Sequence, residues 1–225
     1  MKIVILPGLD GTGKLLSEVR ERLAPKHVVL IIQYPSNLYR YEDLQTWVED
    51  ILPEDDFIIV AESFSGSLAV MLAWKKPFGL KGVVFVATFA KTPVKLPSVL
   101  TYAIEIMPIK SRLLTWLAQP LLMGKWSDKE FTAKFRQAMN LVPAATIAAR
   151  LREVLKVDIV EKLGRLSIPV LYLSATNDRL VPSRMALDFE RAPDAVFTIE
   201  GPHFLLQAKA PQSAEHILSF AARFS

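Results

Sequence analysis

The segment Phe57-Ile58-Ile59-Val60-Ala61-Glu62-Ser63-Phe64-Ser65-Gly66-Ser67 carries the strongest structural signal in this sequence of 225 residues. An apolar run leads into small residues and then into a helical pattern, which predicts a buried strand, a tight turn and a helix. In a turn this sharp, the positions two before and two after the central serine must be small, as Ala61 and Ser65 are. We therefore predict that Ser63 lies at the tip of the turn, with its hydroxyl at the end of a strand.

Two other interpretations of this segment stay open. Ser65, flanked by Ser63 and Ser67, could itself occupy the tip of the turn, or the serine could do no more than cap the helix. The end of the strand at Ala61 favours Ser63. Gly66 would then allow the helix to approach the neighbouring strand.

The fold class follows from apolar runs that lack period-two alternation, which is typical of strands buried on both faces of a parallel sheet. Helical patterns separate most of these runs, so we predict an α/β fold: an open, mostly parallel six-stranded sheet with helices on both faces. The predicted strands are Lys2–Leu6, Val28–Ile32, Phe57–Ala61, Gly82–Ala87, Val170–Ser174 and Val196–Ile199. The predicted helices among them are Leu15–Leu23, Tyr41–Ile51, Leu68–Trp74 and Met185–Ala192.

Residues 91–165 break this alternation, because they contain helical patterns and no strand-like run. We predict a core formed by residues 1–90 and 166–225 and a helical cap formed by residues 91–165, although a separate helical domain would give the same pattern. Asp128 and Asp158 are the predicted N-caps of two of its helices. The predicted helices are Ser98–Met107, Ser111–Leu122, Asp128–Asn140, Ala144–Leu155 and Asp158–Leu163.

Composition and charge exclude several classes of protein. Absence of Cys excludes a disulfide scaffold, a thiolate metal site and a cysteine nucleophile, and it suits a reducing compartment. No uncharged stretch reaches the roughly 18 apolar residues of a membrane span, so we predict a cytoplasmic protein with no membrane span, metal or nucleic-acid partner. The net charge of +4 comes from the insertion, where 13 Lys and Arg face 6 Asp and Glu.

Two further polar residues follow strands in the same way as Ser63. Asp178 lies in the loop after the fifth predicted strand, and His203 follows the sixth. Carboxyl ends of parallel strands meet at one edge of the sheet, where ligands bind. A serine hydroxyl needs an imidazole to accept its proton and a carboxylate to orient that imidazole, so we predict that the three residues form one site. Asp194 is an alternative acid, but it precedes a strand.

These motifs, in this order, resemble the α/β-hydrolase superfamily. The resemblance implies Ser63 as the nucleophile, Asp178 as the acid and His203 as the base, with a sheet of order 2-1-3-4-5-6. The first loop, Leu6-Pro7-Gly8-Leu9-Asp10-Gly11, is similar to the family's oxyanion loop, with Pro7 in place of its usual His. By that resemblance the N–H groups of Leu9 and Phe64 form the oxyanion hole, and the protein is a serine hydrolase of small carboxylic esters that needs no cofactor.

Other functions stay open at this point. The stretch Gly8–Leu15 resembles a phosphate-binding P-loop, although Leu15 replaces the Ser or Thr that holds Mg²⁺. A binding module without catalysis, or a thioesterase or acyltransferase acting on an acyl-CoA or acyl carrier, would use the same fold. For the last of these, the basic insertion would attract the anionic carrier through Lys91, Lys95, Lys110 and Arg112. The insertion also carries apolar residues that either bind an acyl chain or pack onto the core: Leu113, Leu114, Trp116, Leu117, Leu121, Leu122, Met123 and Trp126.

Overall fold

In the computed structural model, which describes residues 1–93, 122–190 and 195–224, all neighbouring strands of the sheet are parallel. The strand order is β2-β1-β3-β4-β5-β6, which confirms the predicted order and fold class. Strand ends differ from the predicted ones by at most two residues. The strands are β1 (Lys2–Leu6), β2 (Val28–Ile31), β3 (Phe57–Glu62), β4 (Leu80–Val86), β5 (Val170–Ala175) and β6 (Val196–Ile199).

Burial on both faces explains why the strands are continuously apolar. Successive side chains of a strand point to opposite faces. In β3, Phe57 and Ile59 belong to one hydrophobic cluster, whereas Ile58 and Val60 belong to another. Both faces of this central strand therefore need apolar residues, and no polar position is left to create an alternating pattern.

The helices cover both faces of the sheet. One cluster includes side chains of the helices Tyr41–Glu49 and Ser65–Trp74, and the other includes side chains of the helices Ser17–Leu23 and Ala210–Ala221. The predicted helix Met185–Ala192 is instead a 3-10 helix, Ser183–Phe189, and residues 191–194 lie outside the described residues. The α-helices are α1 (Ser17–Leu23), α2 (Tyr41–Glu49), α3 (Ser65–Trp74), α4 (Lys129–Asn140), α5 (Ala144–Lys156), α6 (Val160–Gly164), α7 (Leu205–Ala208) and α8 (Ala210–Ala221).

Helices α4, α5 and α6 belong to the insertion between β4 and β5. Asp128 caps α4 as predicted, because its Oδ1 accepts a hydrogen bond from Phe131 N at 2.7 Å. The predicted cap at Asp158 is wrong, since Ile159 precedes α6 and Asp158 forms a β-bridge with Lys91. The predicted helix over 98–107 lies outside the described residues, as does the predicted helix over 111–122 except for Leu122.

The chain leaves and re-enters the core at one point. Around the bridge between Lys91 and Asp158, Thr92 N donates to Val157 O at 2.9 Å and Ile159 N donates to Ala90 O at 2.8 Å. Leu163 of α6 is buried in the same cluster as α2 and α3. The segment after the bridge therefore packs with the core.

Helix α4 packs against the carboxyl edge of the sheet. Its Phe135 and Ala138 form a hydrophobic cluster with Met123, Leu15 and Phe204. The Phe135 and Phe204 rings lie 5.8 Å apart, a separation typical of aromatic pairs. In this way the described part of the insertion is anchored beside His203. Met123 packs onto the core, as do Leu122 and Trp126, whereas residues 113–121 lie outside the described residues.

None of the helices over residues 1–93, 122–190 and 195–224 has both the length and the apolar character that crossing a membrane requires.

A substitution at Gly66 tests the contact between α3 and the segment after β4. A Cβ added at Gly66 would lie 2.5 Å from Thr88 Cγ2 and 2.7 Å from its Cβ. Alanine normally stabilises a helix relative to glycine. Here the overpacking against Thr88 should outweigh that gain and lower the free energy of unfolding by about 1–3 kcal/mol. We expect thermal unfolding of Gly66→Ala at a lower temperature than wild type.

Gly164→Ala is the matched control, because a Cβ at Gly164 would meet nothing within 4 Å. It should leave the unfolding temperature unchanged or raise it slightly. A Gly66→Ala protein as stable as wild type would contradict the close approach.

Candidate active site

Ser63 occupies the tip of a strained turn between β3 and α3. Its φ of 50° is unusual for a residue with a side chain and carries a conformational cost. Ser63 N donates to Val86 O at 2.9 Å, Gly66 N donates to Ser63 O at 3.1 Å, and the Thr88 hydroxyl donates to the same oxygen. These contacts hold the turn from β4 and from α3, and the serine side chain is left at the carboxyl edge of the sheet.

The three predicted polar residues meet at this edge. Ser63 Oγ lies 2.8 Å from His203 Nε2, and His203 Nδ1 lies 2.8 Å from Asp178 Oδ2. Both His203 and Asp178 are almost completely buried, with side chains only 3% and 4% exposed. With Nδ1–H donated to the carboxylate, the neutral imidazole presents the lone pair of Nε2 to the serine hydroxyl.

Backbone amides fix the carboxylate of Asp178. Its Oδ1 accepts hydrogen bonds from the N–H groups of Leu180 and Val181, both at 2.8 Å. The loops after β5 and β6 are joined where Asn177 N donates to Gly201 O at 2.9 Å. The second carboxylate oxygen is thereby aimed at His203. Asp194, the alternative acid, lies outside the described residues.

Ser65 does not reach His203, so the alternative register of the turn is wrong. Its side chain is buried under the loop after β1, where it donates to the carbonyl oxygen of Pro7. Its Oγ also lies 2.6 Å from the hydroxyl of Tyr34. Burial raises the pKa of this tyrosine well above its usual value, which keeps the hydroxyl protonated and able to donate. Ser65 therefore anchors a neighbouring loop.

The loop after β1, residues 7–13 and here called the β1 loop, directs carbonyl oxygens at a cation. Arg150 of α5 donates to Leu9 O at 3.1 Å and to Asp10 O at 2.9 Å. Gly11 N donates to Gly8 O at 3.0 Å, and Thr12 N donates to the Asp10 carboxylate at 2.9 Å. A P-loop needs its amides to point at phosphate oxygens. This arrangement argues against the nucleotide-binding interpretation.

Glu62, the residue before Ser63, is buried at the end of β3. It is only 2% exposed, and its Oε2 accepts a hydrogen bond from Gln207 Nε2 at 3.2 Å. Its Oε1 is buried without a hydrogen-bond partner. Burial raises the pKa of Glu62 to about 7, although the Gln207 hydrogen bond and the His203 charge act in the opposite direction. The sequence could not predict this burial, because a charged residue at the end of a strand and next to a turn is usually exposed to solvent.

Arg150 is the other residue that sequence reasoning missed. It was counted within the basic charge of the insertion, but its side chain is completely buried. Across residues 1–93, 122–190 and 195–224, no group of three or more His, Cys, Asp or Glu could hold a metal ion.

Comparison with known protein families identifies the family of the chain. The family model described as "Serine aminopeptidase, S33", a family of α/β-hydrolases, matches residues 33–199. The chain belongs to this family. The match includes Ser63 and Asp178, whereas the β1 loop and His203 lie outside it. No curated protein matches the sequence significantly.

Solved structures share the fold at low sequence identity. The enol-lactonase from Burkholderia xenovorans LB400 superposes with a TM-score of 0.86 at 16% identity, over 98% of this chain and 91% of that one. The bromoperoxidase from Bacillus anthracis gives 0.85 at 15% identity, over 98% and 91%. An esterase from Exiguobacterium antarcticum gives 0.85 at 11% identity, over 99% and 92%. Likeness at this identity establishes the α/β-hydrolase fold.

Glu62→Gln tests the buried carboxyl through the pH dependence of stability. A pKa raised from 4.5 to about 7 means that the folded state holds the proton more tightly. The associated stability is present below about pH 4.5 and is lost as pH rises from 4.5 to about 7, a loss of roughly 3 kcal/mol. The glutamine variant has no such proton. The unfolding temperature of the variant minus that of wild type should therefore increase by about 5–10 °C between pH 5 and pH 8.

The measurement is the difference in unfolding temperature between variant and wild type, because the other titrating groups cancel in it. Glu215→Gln, a change at an exposed position on α8, should track wild type at every pH. A constant difference for Glu62→Gln would show that Glu62 does not titrate in this interval.

Proposed function

We propose that this protein is a serine hydrolase that cleaves carboxylic esters through an acyl-enzyme on Ser63. The observation that carries the proposal is the continuous chain of contacts from Asp178 to His203 to Ser63, each at 2.8 Å. This chain ends on a hydroxyl held in a strained turn at the carboxyl edge of the sheet. A serine that merely capped a helix would need neither partner.

The first half of the reaction begins with a proton transfer. His203 Nε2 accepts the proton of Ser63 Oγ while that oxygen attacks the ester carbonyl carbon, and Asp178 stabilises the imidazolium that forms. The N–H groups of Leu9 and Phe64 would hold the developing oxyanion, and the amino end of α3 adds a favourable field. His203 then gives its proton to the leaving alcohol, and the acyl group remains on Ser63.

The second half repeats these steps with water. His203 deprotonates the water as it attacks the acyl-enzyme, and the same oxyanion donors stabilise the second tetrahedral intermediate. Collapse of that intermediate releases the carboxylic acid and returns the proton to Ser63. Each step uses groups of this chain alone, so we expect the reaction to proceed without a cofactor.

The choice of ester as substrate has support from the fold relatives. Two of the similar structures are named an esterase and an enol-lactonase, and both names denote cleavage of a carboxylic ester bond. We further propose that residues 91–165 act as a cap. In support, Phe135 and Met123 pack against Phe204, the residue that follows His203. The site would then lie between the sheet and the insertion. We also propose that the protein is cytoplasmic.

Ser63→Ala should abolish ester turnover without unfolding the protein, because loss of a triad nucleophile typically lowers the rate by about 10⁴- to 10⁶-fold. The measurement is hydrolysis of p-nitrophenyl esters of rising acyl chain length, with circular dichroism as the check on folding. The same panel defines the acyl preference.

Ser65→Ala is the matched control, two residues away on the same turn. It should keep far more turnover than Ser63→Ala, with a loss of no more than about 100-fold, because Ser65 contacts only the carbonyl oxygen of Pro7 and the hydroxyl of Tyr34 and does not reach His203. Activity retained in Ser63→Ala and lost in Ser65→Ala would overturn the assignment of the nucleophile.

A second candidate, a thioesterase or acyltransferase acting on an anionic acyl carrier, is favoured by the net charge of +7 on residues 91–165. Ion pairs with the core reduce that charge, since Lys91 lies 2.9 Å from Asp188 and Lys125 lies 3.0 Å from Glu200. Lys91 is thus a poor anchor for an anion. Lys95, Lys110 and Arg112, which lie outside the described residues, remain the proposed anchors.

Ionic strength separates the two candidates. Attraction between exposed charges is screened over about 8 Å at physiological salt, so kcat/KM for an acyl-CoA should fall steeply as salt rises. A neutral short-chain ester should be nearly indifferent. The combined change of Lys95, Lys110 and Arg112 to Glu should harm the acyl-CoA selectively.

The control replaces the exposed Lys26, Lys75 and Lys76 with Glu, which changes the net charge equally at the opposite edge of the sheet. It should leave the acyl-CoA reaction close to wild type. Equal salt dependence for the two substrates would argue against an anionic carrier.

A further inference from the structure

Arg150 is a charged residue of the helical insertion that is buried at the β1 loop. Its side chain is 0% exposed, and burying a guanidinium is costly unless its N–H groups are satisfied. Five hydrogen bonds go from it to backbone carbonyl oxygens. They reach Leu9 O at 3.1 Å, Asp10 O at 2.9 Å, Pro35 O at 3.2 Å and Leu38 O at 3.0 and 3.3 Å.

These acceptors lie on two separate loops, the β1 loop and the loop after β2. Lysine could not replace this arrangement, because its donors radiate from one atom, whereas the guanidinium is a rigid fork whose donors point in different directions. Nη1 donates to carbonyl oxygens of the β1 loop, while Nη2 and Nε donate to carbonyl oxygens of the loop after β2. The side chain therefore joins α5, the β1 loop and the loop after β2 at one point.

The β1 loop is shaped to admit this side chain. Gly11 has a φ of 70°, and a Cβ added there would lie 2.5 Å from Arg150 Nη1 and 2.9 Å from Tyr34 Cδ2. The Tyr34 ring centroid lies 5.5 Å from Arg150 Cζ, within reach of a cation–π interaction. The glycine at position 11 is thus explained by the close approach of a guanidinium.

Two anchors bracket the amide of Leu9. On one side, Ser65 donates to the carbonyl oxygen of Pro7, and on the other Arg150 donates to the carbonyl oxygens of Leu9 and Asp10. The Leu9 N–H shares its peptide plane with Gly8 O, which accepts a hydrogen bond from Gly11 N at 3.0 Å, and the two anchors hold the peptide planes on either side of it. An oxyanion donor is effective only when its direction is fixed before the reaction.

We propose that Arg150 is a positioning residue that fixes the Leu9 N–H for oxyanion binding, so that the helical insertion helps to set the oxyanion hole. The inference rests on the proposed function. Arg150 itself touches no reacting atom, and its effect passes through the carbonyl groups of the β1 loop. Loss of its fork should therefore weaken transition-state binding more than substrate binding.

The test compares Arg150→Lys and Arg150→Met with wild type in p-nitrophenyl ester hydrolysis. We expect kcat to fall by about 10- to 100-fold, part of what a lost oxyanion donor costs, while KM changes by less than about threefold. Affinity for a trifluoromethyl ketone with the same acyl chain should fall by a similar factor, since its adduct with Ser63 places an oxyanion in the hole. Arg165→Met, on an exposed ion pair with Glu161, is the control that should match wild type.

Amide hydrogen exchange of residues 8–13 measures the positioning without any substrate. Exchange at the β1 loop should accelerate in both Arg150 variants, while the strands of the sheet keep their protection. Gly11→Ala disturbs the same contact from the loop side and should have the same effects. It replaces the Arg150 variants in the test if they fail to fold. Added guanidinium should restore part of the activity of Arg150→Ala.

Folded Arg150 variants with wild-type kcat and wild-type exchange would overturn the proposal. So would a loss of kcat with undiminished ketone affinity, which would indicate a general structural effect. The proposed function fails separately, if Ser63→Ala retains ester turnover. Exchange at the β1 loop then still decides whether Arg150 orders it.

Discussion

The left-handed backbone of Ser63 is the constraint on which the arrangement of the site depends. A residue with a side chain adopts φ near 50° at a cost of about 1–3 kcal/mol. That cost is met by hydrogen bonds from β4 and by the small residues that let α3 and the segment at Thr88 come together. Once β3 ends in this turn, the serine hydroxyl lies at the sheet edge where the loops after β5 and β6 deliver Asp178 and His203.

The buried polar groups around this turn differ in how their hydrogen-bonding needs are met. Asp178 and His203 satisfy each other and the neighbouring amides. Arg150 relies on backbone carbonyl oxygens, which carry no formal charge, and Glu62 is left with one oxygen unpartnered and with its pKa raised. A buried group without full satisfaction is costly to stability. Its presence next to a nucleophile is consistent with a site that is ordered at the expense of stability.

Much of the fold was predictable because burial on both faces of β3 and its neighbours forces apolar residues at every position. Ser63, Asp178 and His203 were predictable because parallel strands bring their carboxyl ends to one edge. Arg150 was not, since its partners are main-chain oxygens and any residue type supplies those. The burial of Glu62 was not predictable either, because Glu62 lies at the end of β3, where charged side chains are usually exposed. Asp158 shows a third limit, since a tertiary bridge to Lys91 displaced a helix cap that is favourable locally.

The bridge between Lys91 and Asp158 has an evolutionary consequence. Because the chain departs from the sheet and returns to it at hydrogen-bonded neighbours, the segment between them can change in length and sequence without altering strand register. Such exchange would diversify what the edge of the sheet recognises. Arg150 limits this freedom, because any replacement must supply a donor for the carbonyl groups of the β1 loop and the loop after β2. Helix α5 and the two loops are therefore expected to be inherited together.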